Sequence, residues 1–435
     1  MTMIHAQDGV TTYRGWFQSP LGIPIAPDND WYGVEWNTDT AFVYPDCTRI
    51  GNPVLHQTLP VQSQMYGCLL NDDGSENYKL HPTNWAFRED GVTPSVLDGS
   101  EGQVMVRLPG FYFGHEVDGS IRRWKISTAP VSGFEYEPPQ YVSAYEAALN
   151  RSTSTLASVV NTTPDYRGGN NTAAWDGTHR DLLGRPATNI SRTNFRIQAR
   201  NRGAGWEMYN YWAHRAIVIL VTIEYATRNS QLAFTTQKDI FGMSQGALGS
   251  GCTNLDSTLW NSWNSRNPFL PCGHTNHLGN LSGESFDYPA YESGGSGTRG
   301  NRYRGIENPF GHIWKNCDGV NLRNGDANAF VSRDRSRWQD DDYQNMENIG
   351  EYPTANGFIR QMMPGQILPT LVGGSSDSFW CDSFSRSNGA VLRTVLFCGT
   401  ASTGADAGLV LSNSLNAPSA TATLIGSRLC YFPAS

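Results

Sequence analysis

Four groups of residues have types that could do chemistry, and their spacing decides how far each can be taken. Cys272-Gly-His274-Thr-Asn-His277 sets a thiol and two imidazoles close together, the donors that zinc takes most readily. No second ligand pair follows at a matching distance, and the loop is rich in small polar residues, so a turn with exposed imidazoles is the expectation. Asp340-Asp341-Asp342 stands near Arg333, Arg335 and Arg337. It lacks the alternating oxygen ligands of a calcium loop and reads as a solvated loop with local ion pairs. Glu224, amid apolar neighbours, reads as a hydrogen-bonded structural carboxylate. The glycines at 242, 246, 249 and 251, and Ser293-Gly-Gly-Ser-Gly297, lead into no Gly-Lys-Ser/Thr, so neither is a phosphate loop. No catalytic residue, metal or cofactor is expected.

The elements that would position any site follow from composition and pattern. Of 435 residues, 17 % are charged, 11 % are aromatic and 45 are glycine, which favours a rigid, loop-rich globule over disorder. The net charge is −8 and no basic block occurs, which argues against nucleic acid as a partner. The first residues show no charged region followed by an apolar run, so no signal peptide is expected. The longest apolar run, residues 216–221, is too short for membrane insertion. The eight cysteines form no CxxC pair and read as buried free thiols of a protein made in a reducing cytoplasm.

Residues 1–30 are rich in Gly, Pro and Asp and read as an attachment or assembly tail ordered by a partner. Residues 31–110 read as a β-rich N-terminal module, its clearest strand at Gln103-Val-Met-Val-Arg-Leu-Pro109. Residues 111–435 form the main domain. There, residues 141–150 run from strand-like into helix-compatible types. Ser191 can cap a helix running to Arg202 and ended by Gly203, and residues 206–229 carry apolar side chains at helical spacing. Asn308-Pro-Phe-Gly-His-Ile-Trp-Lys315 offers a turn into a buried aromatic strand. No repeat of solenoid or propeller length appears.

The most unusual stretch is residues 373–430. Small residues (Gly399, Ala401, Ala405, Ala407) alternate with Thr400, Ser402 and Asp406, a period of two that belongs to an extended chain. Residues 394–429 contain no Lys, Glu, Gln, Met or Trp.

Further motifs stand in a specific order: Arg49-Ile-Gly51, Cys68-Leu-Leu70, Gly102-Gln-Val-Met-Val106, Tyr141-Val-Ser-Ala-Tyr-Glu-Ala147, Gly184-Arg-Pro-Ala187, Ile223-Glu-Tyr-Ala-Thr227, Arg304-Gly-Ile-Glu-Asn-Pro-Phe-Gly311, Val372-Gly-Gly-Ser375 and Ile425-Gly-Ser-Arg-Leu-Cys430. From about Thr48 onward the chain resembles C-type-lectin-fold proteins of the formylglycine-generating-enzyme type. Within them it resembles the variable receptor-binding proteins that diversity-generating retroelements alter in phages and prophages of Bacteroides-like bacteria. The resemblance implies an α+β fold of the C-type lectin kind, two helices around small twisted antiparallel sheets. It implies a virion protein at a fibre tip or baseplate that binds a bacterial surface receptor, glycan or protein. Contacts to other virion proteins through the N-terminal region and a homotrimeric state go with it. Enzymes of the wider family bind copper through two cysteines. Here Cys381 matches the first and Arg386 stands at the second, so the resemblance to the enzymes stops short of their site.

In the diversified relatives, adenine-rich codons of the cassette vary, and the codons reached from AAC or AAT exclude the five residue types missing here. The variable, ligand-facing positions implied are Thr400, Ser402, Thr403, Asp406, Leu411, Asn413, Leu415, Asn416, Ala420, Ala422 and Leu424, extended by Ser383, Phe384, Ser385 and Arg386. Gly399, Ala401, Ala405, Ala407, Gly408, Pro418, Gly426 and Arg428 would be the invariant frame.

Overall fold

The computed structural model describes residues 30–41, 46–168, 183–255, 268, 270–285, 299–341, 343–387, 389 and 391–433. Almost all of the tail (residues 1–29), the Ser293-Gly-Gly-Ser-Gly297 cluster and Asp342 lie outside them. The described chain is mostly β-sheet with three α-helices: α1 (Pro53–Thr58), α2 (Arg192–Arg200) and α3 (Tyr211–Tyr225). That is an α+β architecture. None of these helices is long and apolar enough to cross a membrane.

Helix α3 is the hub. Asn210 caps it, its side-chain oxygen accepting the N–H groups of Trp212 at 3.1 Å and Ala213 at 2.9 Å. Every residue of the helix is buried, as an apolar character on all sides requires. It stops at Ala226, a left-handed cap with φ 52°. Its polar side chains tie other elements to it. Trp212 Nε1 donates to Ser332 O at 2.8 Å, Arg215 pairs with Glu137, and His214 Nε2 bonds Leu409 O at 2.8 Å. The expected helix over residues 206–229 is therefore shorter. Trp206–Met208 is a strand, because its backbone pairs antiparallel with Leu429–Tyr431.

A six-stranded sheet shows the period of two directly. Its order is Trp206–Met208, Leu429–Tyr431, Gln140–Ser143, Gln103–Leu108, Tyr66–Leu70, Glu76–Lys79. Leu69, Val104, Val106, Val142 and Cys430 join the core that holds α3. The alternate residues Cys68, Leu70, Met105, Tyr141 and Leu429 pack with Phe195 and Ala199 of α2. Both faces are thus buried. Ser191 caps α2 as expected, accepting from Asn194 N at 3.3 Å.

Residues 31–110 do not close on themselves. Gln103–Leu108 pairs with Gln140–Ser143, and Tyr32–Asn37 pairs with Ile121–Ser127 in a five-stranded sheet. One apolar core runs from Tyr32 to Cys430, so the expected N-terminal module is built into the body of the protein. Residues 141–150 form no helix: Gln140–Ser143 and Ala148–Asn150 are both strands.

The third large sheet carries the cassette. It runs Glu347–Glu351, Asn328–Val331, Trp314–Arg323, Leu392–Phe397, Ser412–Ser414, Ser383–Arg386, Gly357–Met362, Pro369–Val372, with Ile425–Gly426 parallel to the start of Trp314–Arg323.

Candidate recognition face at the C-terminal cassette

The cassette leaves its sheet at Phe397 and turns at once, with Cys398 at φ 80° and Gly399 at φ 76°. A side chain on Gly399 would lie 2.8 Å from Leu411 Cδ2, so only glycine lets the two arms of the loop close here. Cys398 N donates to Leu411 O at 2.9 Å and seals them. Thr403 Oγ1 accepts the N–H of Thr400 at 2.8 Å, making a hydroxyl-capped turn. Fixed elements then hold the loop: Ala401 N donates to His312 O at 3.0 Å, and Gly404 N to Thr253 O at 2.6 Å. Gln231 Nε2 reaches Gly404 O at 3.2 Å and also Ala407 O.

Behind the loop lies Asp382. Its Oδ2 accepts the N–H groups of Val410 at 2.8 Å and Leu411 at 3.1 Å. Burial pushes this carboxyl well up from its ordinary range.

The alternation expected over residues 399–407 is not that of a strand. Gly404–Asp406 is a 3₁₀ turn, and extended pairing resumes only at Ser412–Ser414. Of the implied ligand-facing positions, Asp406 and Leu415 are exposed, and Ser402, Thr403, Asn413, Asn416, Ala420, Ala422, Leu424, Ser383 and Ser385 are half-buried. Ser385 and Asn413 stand side by side in register on adjacent strands, and Ser383 stands beside Phe358.

Four positions do not face out. Phe384 alternates inward from Ser383 and Ser385 into the core. Arg386 follows the same side, its Nη2 donating to Asn324 O at 2.8 Å. Leu411 and Thr400 are buried at the neck of the loop, where the arms meet. Of the implied frame, Gly399, Ala401, Ala407, Gly408, Pro418, Gly426 and Arg428 are buried, while Ala405 is exposed on the 3₁₀ turn. Arg428 locks the far end, donating to Ser143 O at 3.2 Å, to Asn308 O at 2.8 Å and to Glu307 O.

The other chemical groups resolve into structural networks. His274 is no exposed imidazole: its Nδ1 lies 2.9 Å from Pro271 O and 3.0 Å from Glu307 Oε1, while His277 is exposed. Among the described residues no three His, Cys, Asp or Glu side chains are grouped to hold a metal ion. Asp340 makes no local pair but reaches Arg192 and Arg196 of α2, both at 2.8 Å. Glu224 accepts from Arg304 Nε and Nη2, both at 2.7 Å. All eight cysteines are free and buried.

The copper that a resemblance to the enzymes would imply does not fit here. A guanidinium has no lone pair to offer, and burial pushes the Cys381 thiol up, away from the thiolate that copper needs.

Sequence reasoning missed one buried cluster under the loop. His312 Nε2 accepts the N–H of Leu270 at 3.1 Å, so the proton on Nδ1 faces Glu146, whose other oxygen lies 2.7 Å from Lys315 Nζ. Burial would raise the Glu146 carboxyl, but its interaction with His312 and the charge of Lys315 outweigh it and bring it down to about 2. Its signals in the sequence are the His and Lys of the Asn308 motif and the Glu of the Tyr141 motif. No protein-family model matches this chain, and no curated protein matches it.

Proposed function

We propose that this chain is a receptor-binding protein of a phage particle, of the C-type lectin fold, reading a bacterial surface through its C-terminal cassette and not acting as an enzyme. The observation that carries the reading is the division of labour within residues 383–428. Glycines, alanines and buried hydrogen bonds fix the backbone, while short hydroxyl, amide and aliphatic side chains stand at the surface. Substitution of exposed side chains usually shifts stability by within about 0.5 kcal/mol, so such a face can change while the fold persists. Individually weak sites suit trimeric display, where avidity adds roughly a hundredfold if the copies engage together.

Adsorption measures this. Purified protein should bind some host strains and not others, and Asn413→Ala with Ser385→Ala should reduce that binding at unchanged stability. Binding to no strain, or a cassette buried against a neighbouring virion subunit, would replace recognition by an assembly role. Sequencing the cassette across a phage population should find substitutions at adenines.

A further inference from the structure

Ile240 and Phe241 form the tip of the hairpin made by Phe234–Lys238 and Ser244–Gly246. Ile240 is 93 % exposed and Phe241 36 %. The tip is rigid: Asp239 Oδ1 accepts the N–H groups of Phe241 and Met243, both at 2.9 Å, and Gly242 N returns to Asp239 O at 2.9 Å. It is fastened to α1, where Gln57 Nε2 donates to Phe241 O at 2.8 Å. Val54, one turn earlier on the same face of α1, is 56 % exposed. Single exposed apolar residues need no explanation, but a braced tip displaying two beside a third is a contact surface.

The chain itself supplies an occupant. The described residues begin beside this helix: Ser127 Oγ donates to Asp30 O, and Asn52, the cap of α1, donates its N–H to Trp31 O at 3.0 Å. Upstream, residues 16–25 contain Trp16, Phe17, Leu21, Ile23 and Ile25 and no charge. Ile25 lies five residues before Asp30, a reach of up to about 17 Å. Pro20 and Pro24 withhold backbone N–H groups that an apolar contact would otherwise have to desolvate.

We propose that residues 16–25 cover the patch of Ile240, Phe241 and Val54 within the same molecule. The full chain carrying Ile240→Cys tests this, since all eight native thiols are buried and the new one stands alone at the surface. A maleimide should label it at least about tenfold more slowly than in a chain that also carries Trp16→Ser, Phe17→Ser and Ile23→Ser, because covering even one such side chain is worth about 1.5 kcal/mol. The ratio should be the same at low and high protein concentration. A bifunctional reagent should also join Ile240→Cys to Gln18→Cys within a monomer. Equal labelling rates in the two chains would overturn the proposal. Protection that grows with protein concentration would overturn it too, by assigning the patch to a second copy.

Discussion

The carboxylate of Asp382 occupies the space into which a side chain on Gly408 would project, and from there it accepts two N–H groups of the cassette. Frame and loop are therefore matched at one point. Gly408→Ala should displace the carboxylate and cost about 1–3 kcal/mol, the usual cost of overpacking. Asp382→Ala should cost about 2–5 kcal/mol by leaving two buried donors unmet. Asp382→Asn keeps the acceptor and should stay within about 1 kcal/mol. Denaturant titration checks all three, and an asparagine variant as weak as the alanine one would refute the hydrogen-bond account.

The division between face and frame predicts opposite outcomes for neighbouring positions. Ser385→Ala, Asn413→Ala and Leu415→Ser should each change stability by within about 0.5 kcal/mol. Phe384→Ala and Leu411→Ala, one or two residues away, should cost about 2–5 kcal/mol as their buried side chains are lost. Midpoints of urea unfolding with unchanged slope are the measurement.

Acid should destabilise the protein through two buried histidines. Burial pushes His56 and His214 down to about 3, so the folded chain leaves both neutral where an unfolded chain protonates them. The unfolded state binds more protons between about pH 6.5 and 3, so stability falls as pH falls through that window, by about 1.4 kcal/mol per unit for each histidine. His274 is shifted the other way, burial being outweighed by Glu307, and its contribution fades only as pH rises through its folded value. Replacing His214 by Gln should flatten the acid limb of a stability profile; an unchanged slope would remove it as a cause.

The cluster beneath the loop gives a further test. Glu146→Ala strands Lys315 and His312, both fully buried, and should cost about 3–5 kcal/mol. Glu146→Gln keeps the shape but loses the charge and should fall between that and the native chain. Thermal unfolding would rank the three.

Local signals in the sequence were readable where a residue's own neighbours decide its structure. The Ser191 cap and the strand at Gln103–Leu108 are of that kind. Trp206–Met208 has helix-compatible spacing but is a strand because its partner strand lies more than two hundred residues away, and propensity yields to such pairing. The cassette's composition marked it as unusual, yet burial of Phe384, Arg386, Thr400 and Leu411 depends on which loop arm or core each meets. Glu146 and His312 are 166 residues apart, and no spacing rule links them.

The strand Leu429–Tyr431 sits inside the six-stranded sheet, between Trp206–Met208 and Gln140–Ser143, yet it is translated after the cassette. A ribosome-bound chain thus holds an incomplete sheet until the whole cassette has been read. Any frameshift upstream of Leu429 removes the missing strand and with it the chain's route to a folded state. The order of the segments along the chain thus makes an intact reading frame through the whole cassette a condition of folding.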